Sequence, residues 1–346
     1  MRYLLKNKKR LCSVKVLCRI RFLEFLCVTF FIYLRIFLRS TFYFLLFGLN
    51  LLKMKFLLKK IPAFTLFILL NNAIFAQEYG LKVGTNWSII QGEKEKDANG
   101  NVVGNYTYSN GYHFGFMSSY PISDNIGVQI EMLFASKSMN FDYEGEAFRI
   151  FYTNEKRPIV AKGKLKSHSK VTNAYFEIPL MLYVKKEGGL DFAFGFNCAF
   201  LAGSTASGES TFSGNTDGGF PISEFGTQLN FNYSKDSVMT VSYFDDAVTV
   251  ENGNKIRLPK TQGAYYDSRK LNSPFFNKID ISLAAEMTFW LNEHFGLSGR
   301  ATYSIFDVTN NEGVLSHGAL DANKNYTYRQ NTDRIFNLQA ALKIKF

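Results

Sequence analysis

From about residue 79 to its end the chain alternates apolar and polar side chains one by one, the period that sorts them onto the two faces of a β-strand. In the clearest stretch, Ile279, Ile281, Leu283, Ala285, Met287, Phe289 and Leu291 interleave with Lys278, Asp280, Ser282, Ala284, Glu286 and Thr288. Phe295, Leu297, Ala301, Tyr303 and Ile305 then stand against Ser298, Arg300, Thr302 and Ser304, and Phe336, Leu338, Ala340, Leu342, Ile344 and Phe346 against Asn337, Gln339, Lys343 and Lys345. Five earlier segments, about 79–90, 111–120, 126–141, 171–184 and 190–202, behave alike. In the last of them Phe192, Phe194, Phe196, Cys198 and Phe200 share one face. No helical period competes, and the pattern predicts eight strands, each long enough to cross a bilayer's hydrocarbon core when tilted.

The predicted connections alternate in length. Residues 91–110, 142–170, 203–276 and 309–333 are long, whereas Tyr120–Asn125, Lys185–Gly189 and Asn292–His294 are tight. Outer-membrane barrels have this rhythm, with short periplasmic turns and longer outer loops. The expectation is an all-β fold, an eight-stranded antiparallel transmembrane β-barrel over residues 77–346, with long outer loops and both termini in the periplasm. Weak alternation at Gly226–Tyr233 and Val238–Phe244 inside the insertion 203–276 allows either a hairpin outside the membrane or two more wall strands, making ten. Eight is the favoured number.

Composition changes the picture mainly at the N-terminal end. The whole chain carries 40 Lys and Arg against 29 Asp and Glu, but residues 1–76 hold 14 of the bases and one acid, Glu24. What remains is close to neutral, so no basic face is left for nucleic acid. Three of the four cysteines, Cys12, Cys18 and Cys27, lie in the same segment, and Cys198 alone excludes a disulfide framework or a four-cysteine zinc site. Met54, Lys55, Lys59 and Lys60, the apolar run Ile61–Leu70 and Ala76 before Gln77 read as a signal peptide over 54–76. Residues 1–53 read either as an upstream extension ahead of a true start at Met54 or as an N-terminal hydrophobic segment. The membrane-anchor reading is weakened by Arg35 and Arg39, each costing roughly 2.5–3.5 kcal/mol at mid-span.

Opposite the apolar face sit Lys82, Glu131, Glu177, Asp280, Glu286, Arg300 and Lys343, mixed with small and amide side chains. Lipid hosts such a mixture at high cost, so these residues are expected to face the lumen and pair there. An eight-stranded barrel is wide enough only for its own side chains, which favours a rigid plug over a proton or ion path. Pro179 within the fourth strand donates no ladder bond, so a bulge or a missing bond is expected there.

On particular motifs the chain resembles the PorT-like outer-membrane β-barrel proteins, of the small OmpA and OmpX type, from about Tyr79 to Phe346. The motifs are Gly80-Leu81-Lys82-Val83-Gly84-Thr85-Asn86-Trp87-Ser88, Gly111-Tyr112-His113-Phe114-Gly115 and Val128–Phe134 followed by Ser136-Lys137. Above all, Tyr175-Phe176-Glu177-Ile178-Pro179-Leu180 looks like that family's Tyr-x-Glu-Ile-Pro-Leu signature. Phe194-Gly195-Phe196-Asn197 departs from the family's frequent Gly-Pro, and 203–276 exceeds its usual third outer loop. The resemblance implies an integral protein among outer-membrane lipids with a surface-interaction or secretion-associated role, secretion-system proteins being its partners in the second case. A last strand ending in Phe346 resembles the signal read by the outer-membrane insertion machinery.

Catalysis and cofactors find little support. The four histidines, His113, His168, His294 and His317, stand in no HExxH or other metal-ligand spacing, and no GxSxG or cofactor motif appears. Ser316-His317 with Asp321 and Glu312 is the one constellation that offers a lipid-hydrolase alternative. The segment 142–170 carries Arg149, Lys156, Arg157, Lys162, Lys164, Lys166 and Lys170 against Asp142, Glu144, Glu146 and Glu155, a set able to meet lipopolysaccharide phosphates or simply to be solvated. A second alternative is a soluble lipocalin-like carrier with its apolar faces turned inward, since alternation alone does not say which face is inside.

Overall fold

The computed structural model describes residues 78–346 apart from 98, 154–156, 239, 251–252, 269–273 and 312. The predicted signal peptide and the segment before it lie outside the described residues. Fourteen strands follow: β1 (Glu78–Gln91), β2 (Glu95–Lys96), β3 (Val102–Pro121), β4 (Ile126–Tyr152), β5 (Pro158–Lys186), β6 (Leu190–Thr216) and β7 (Pro221–Asn232). They continue with β8 (Val241–Thr249), β9 (Lys255–Gln262), β10 (Ile279–Trp290), β11 (Phe295–Ser304), β12 (Leu315–Leu320), β13 (Tyr326–Tyr328) and β14 (Arg334–Lys345).

Eight of these close into a ring, β1-β3-β4-β5-β6-β10-β11-β14, every neighbour antiparallel. Closure is made by the last strand: β14 pairs β1 from Gly80↔Lys345 to Gln91↔Arg334, so no edge is left open. Apolar residues of β10 face outward, with Leu283 51% exposed, while Asp280, Ser282, Glu286 and Thr288 are buried inside. Phe114, Phe116, Phe176, Leu180, Phe194, Phe196 and Leu297 extend the outer belt around the wall. A carrier of the lipocalin kind requires the opposite arrangement. The glycines facing inward let so small a ring curl: a Cβ on Gly195 would stand 2.0 Å from the Leu180 carbonyl oxygen.

The tight turns fall where the sequence places them, but three long connections are largely strand. β4, β5 and β6 have 27, 29 and 27 residues, far beyond the roughly 9–11 a membrane crossing needs. Their excess forms a tall sheet at one end of the barrel, here termed the crown. Segment 142–170 is therefore largely a long β4–β5 hairpin, paired as far as Tyr152↔Pro158 with the Thr153 N–H donating to the Arg157 carbonyl at 3.0 Å, and not a loop. In the insertion, β7 pairs the upper half of β6, and β8 pairs β9 antiparallel, so neither member of the weakly alternating pair joins the ring. β7 and β8 do not pair with each other, because β9 lies between them, parallel to β7 at Gln228↔Thr261 and antiparallel to β8.

The crown has its own core. Val103, Tyr143, Phe151, Leu165, Phe212 and Ile256 pack inside the tall sheet, against partly buried Phe225. Below it, Met139, Tyr175, Ala206, Phe276, Val308 and Ile335 form a second apolar cluster. The hairpin β12–β13 lies against β4 and β5 through Tyr326, whose hydroxyl donates to the Phe148 carbonyl at 3.0 Å.

Pro179 causes no register shift against β4: Ile130↔Leu180 and Leu133↔Glu177 keep one register, and only the two pairs between them are missing. The bulge sits nearby on the other side, where Ala174↔Gly203 is followed by Tyr175↔Leu201 and β6 carries one residue too many at Ala202. Inward positions on β6 change there from odd (Ala193, Asn197, Ala199) to even (Ser204, Ala206, Ser210, Phe212).

Candidate functional site

All seven charged residues singled out on the polar face are buried in the lumen. Inward parity brings five of them, one from each of five strands, into one cluster: Lys82 from β1, Glu131 from β4, Glu286 from β10, Arg300 from β11 and Lys343 from β14. Register fixes the meeting, since Glu286 stands directly across from Arg300. One carboxylate oxygen of Glu286 accepts from Lys82 Nζ at 2.5 Å and from Arg300 Nε at 2.8 Å, and the other from Lys343 Nζ. Glu131 Oε1 accepts from Arg300 Nη2 at 2.6 Å and from Gln129 Nε2 at 2.5 Å, with Lys82 Nζ 3.6 Å away. Lys343 also donates to Thr288 Oγ1 at 3.0 Å.

Glu177 and Asp280 lie in a separate group around Lys137, a residue quoted in the sequence as part of the Ser136-Lys137 motif but not as one of the lumen charges. Lys137 on β4 stands 2.7 Å from Glu177 and 3.8 Å from Asp280, its ammonium 4.9 Å from the centre of the Tyr175 ring. It shares the odd parity of Glu131 on the same strand, the signal that identifies it. With Lys137 the two groups hold four cations and four carboxylates, a balanced set that fills the bore. His113, in the Gly111–Gly115 motif, is buried, its Nδ1 2.6 Å from Asn86 Oδ1, and Asn86 Nδ2 donates to the carbonyls of Tyr112 and Ser136 at 3.0 Å.

The signature residues Tyr175, Glu177 and Pro179 point inward, and Ile178 and Leu180 outward. Phe346 is 72% exposed, its backbone N–H donating to the Tyr79 carbonyl at 3.0 Å.

The hydrolase constellation is not assembled. Ser316 Oγ donates to Glu95 Oε1 at 3.1 Å rather than to His317, and the Asp321 carboxylate accepts the backbone N–H groups of Asn323 and Asn325 in its own turn. Glu312 lies outside the described residues. His317 Nε2 instead lies 3.1 Å from Asp267 Oδ2, with the ring edge-on to Tyr143 and Tyr326. Burial pushes the His317 pKa down, but the hydrogen bond and charge of Asp267 outweigh it and the net shift is upward.

Of the basic set in 142–170, Lys162, Lys164, Lys166 and Lys170 are exposed along one face of β5, with Lys156 outside the described residues. Arg149 points the other way, buried and donating to Gln262 Oε1 at 3.0 Å. Asp142, Glu144 and Glu146 run alongside on β4, and Lys162 pairs with Glu146 at 3.0 Å and Lys166 with Glu144 at 3.8 Å. The crown face is thus a charge zipper rather than a bare cationic patch. Among the described residues no group of His, Cys, Asp and Glu is arranged to hold a metal.

The family profile described as outer membrane protein beta-barrel domain matches residues 75–310. That is more than half of the chain, and the chain belongs to this family. No curated protein matches it. Solved structures it is similar to include Ail, the attachment invasion locus protein of Yersinia pestis, in complex with the heparin analogue sucrose octasulfate (8% identity, 79% of this chain and 100% of that one, TM-score 0.29). Others are OprG from Pseudomonas aeruginosa (12% identity, 78% and 96%, TM-score 0.30) and the outer membrane protease OmpT from Escherichia coli (8%, 78% and 96%, TM-score 0.26).

Proposed function

From membership of that family, we propose that this outer-membrane β-barrel is a non-enzymatic surface protein whose crown stands outside the cell and binds there, with both termini in the periplasm. The observation that carries the reading is the excess of β4, β5 and β6, which builds a crown with its own apolar core above a bore filled by paired charges. Structure on that scale is not needed to cross the membrane, and the filled bore favours a role on the surface over conduction. On the crown face Lys162 and Lys166 are paired with Glu146 and Glu144, which leaves Lys164 and Lys170 as the ammonium groups for lipopolysaccharide phosphates, and nothing in the charge distribution favours nucleic acid. The insertion machinery is the partner proposed for the Phe346 end. Protease shaving of intact cells, followed by peptide mapping, tests the topology: cleavage between 153 and 157 supports it, and cleavage only at 121–126 or 186–190 opposes it.

The Tyr175–Leu180 signature favours a second reading, a secretion-associated barrel of the PorT-like type. Deletion of the gene, scored for proteins lost from the culture medium, separates the two: loss favours secretion, while unchanged secretion with altered surface binding favours the crown.

A further inference from the structure

The barrel wall changes partner part-way up β6. Below, β6 pairs β10 as far as Phe200↔Ile279, and the Leu201 N–H still donates to the Lys278 carbonyl at 2.8 Å. Above, it pairs β7 from Thr205↔Asn232, and the Tyr233 N–H donates to the Ser204 carbonyl at 3.0 Å. Between these bonds only Ala202 and Gly203 remain, at the bulge, and a Cβ built on Gly203 meets nothing within 4 Å.

A cavity of about 540 Å³ opens at this seam, within the range of about 300–1,000 Å³ typical of small-molecule sites. Leu201, Ala202, Tyr233, Tyr265 and Phe276 make most of its lining, and Ser234, Asp236 and Lys278 add polar groups. Directly below lie Phe200 and Ile279, 43% and 53% exposed, the last pair of the lipid-facing belt on these strands. The opening therefore borders the hydrocarbon layer, where an apolar chain reaches it without passing through water.

We propose that this seam binds a single-chain amphiphile carrying a carboxylate, a long-chain fatty acid, with the chain against Leu201, Ala202 and Tyr233 and the head at Lys278. A single chain is specified by the span of the seam: from Leu201 to Ser204 it is about 10 Å along the strand, less the side chains that line it, too narrow for the two chains of a bilayer lipid side by side. An anionic head is specified by Lys278, because the one acid of the lining, Asp236, is already committed. Its Oδ2 accepts the backbone N–H groups of Asn232 and Ala264 at 2.9 and 2.8 Å.

The test uses the full barrel in nanodiscs with diazirine-bearing palmitic acid, photolysis and peptide mapping. Labels are expected at 201–204, 233–236 and 274–278, competed by palmitic acid and far less by palmityl alcohol. Lys278→Met is expected to lower labelling by about tenfold, the loss of one charge-assisted hydrogen bond. Ala202→Phe, which fills the mouth, is expected to lower it as well, both variants first being checked for heat-modifiable gel mobility. Labels spread evenly over the outer belt and indifferent to both variants would overturn the site. Equal competition by the alcohol, or preferential labelling by a photoreactive phosphatidylglycerol, would overturn the fatty-acid assignment.

Discussion

At the scale of single residues, Glu286 is the hub on which the lower lumen group depends. It pairs with Lys82, Arg300 and Lys343 at once, and the neutral amide of Glu286→Gln leaves three buried cations with one carboxylate, Glu131. Breaking a buried pair from one side costs about 3–5 kcal/mol, so the variant is expected to unfold at markedly lower urea concentration in liposome-based unfolding. Replacing Lys137 and Glu177 together by Met and Leu, with Asp280→Asn, is expected to cost less than Lys137→Met alone, because no charge of that group is then stranded. In the crown, His317 is raised above its ordinary pKa by Asp267, so its stabilising contribution is complete below about pH 6.5 and is lost as pH rises through the higher folded value. Asp267 is lowered, with burial opposing and His317 and Arg149 outweighing it, so it stays anionic throughout that window. Arg149 on β4 and Glu95 on β2 also face the ring, with opposite effects on its proton. Proteolysis of the 309–333 segment is therefore expected to speed up from pH 5.5 to pH 8 in the native protein, and His317→Gln is expected to flatten that rise.

At the scale of elements, the eight crossings were legible because lipid enforces an apolar outer face, which makes period-two alternation plain in β10, β11 and β14. The upper halves of β4 and β5 alternate equally well, with Lys162, Lys164, Lys166 and Lys170 outside and Ala161, Leu165 and Ser169 inside. Water rather than lipid bathes that outer face, so the alternation is between charged and small residues and reads as a polar loop. The even count survived the insertion, but the β6–β7 pairing depends on the bulge at Ala202, where inward parity flips and a fixed-period reading fails. Lumen residues were legible for the same reason as the crossings; Lys137 was missed although its parity marks it. The His317–Asp267 pair joins positions fifty apart through tertiary packing and leaves no local pattern. Because the ring closes below the crown, replacing 142–168 by a short Gly-Ser turn is expected to leave heat-modifiable mobility intact while removing surface epitopes. Truncation of 334–346 removes the ladders to both β1 and β11 and is expected to abolish assembly, with Phe346→Ala a milder loss; retention of the heat-modifiable band after truncation would contradict this.

For the whole molecule, orientation of the wall is what joins fold to location. An exposed belt of Ile279, Leu283, Met287, Phe289 and Leu291 costs little in lipid and a great deal in water, whereas the buried Asp280, Ser282, Glu286 and Thr288 would be stranded if the faces were exchanged. Leu283→Arg places a charge against the bilayer near mid-strand, at a cost of about 2–4 kcal/mol, and is expected to lower the yield of assembled barrel. Ser282→Asn, inside the bore beside polar neighbours, is expected to be tolerated far better. A folding defect alone does not reveal which side a residue faced, so single cysteines at positions 279–291 provide the sharper measurement. In assembled protein the odd positions are expected to react with a bilayer-soluble maleimide and to resist a membrane-impermeant one. The even positions are expected to resist both, because the charge network packs the bore on that side. Aqueous labelling of the even positions would mean an open lumen, and with it the loss of the plug on which the surface role rests.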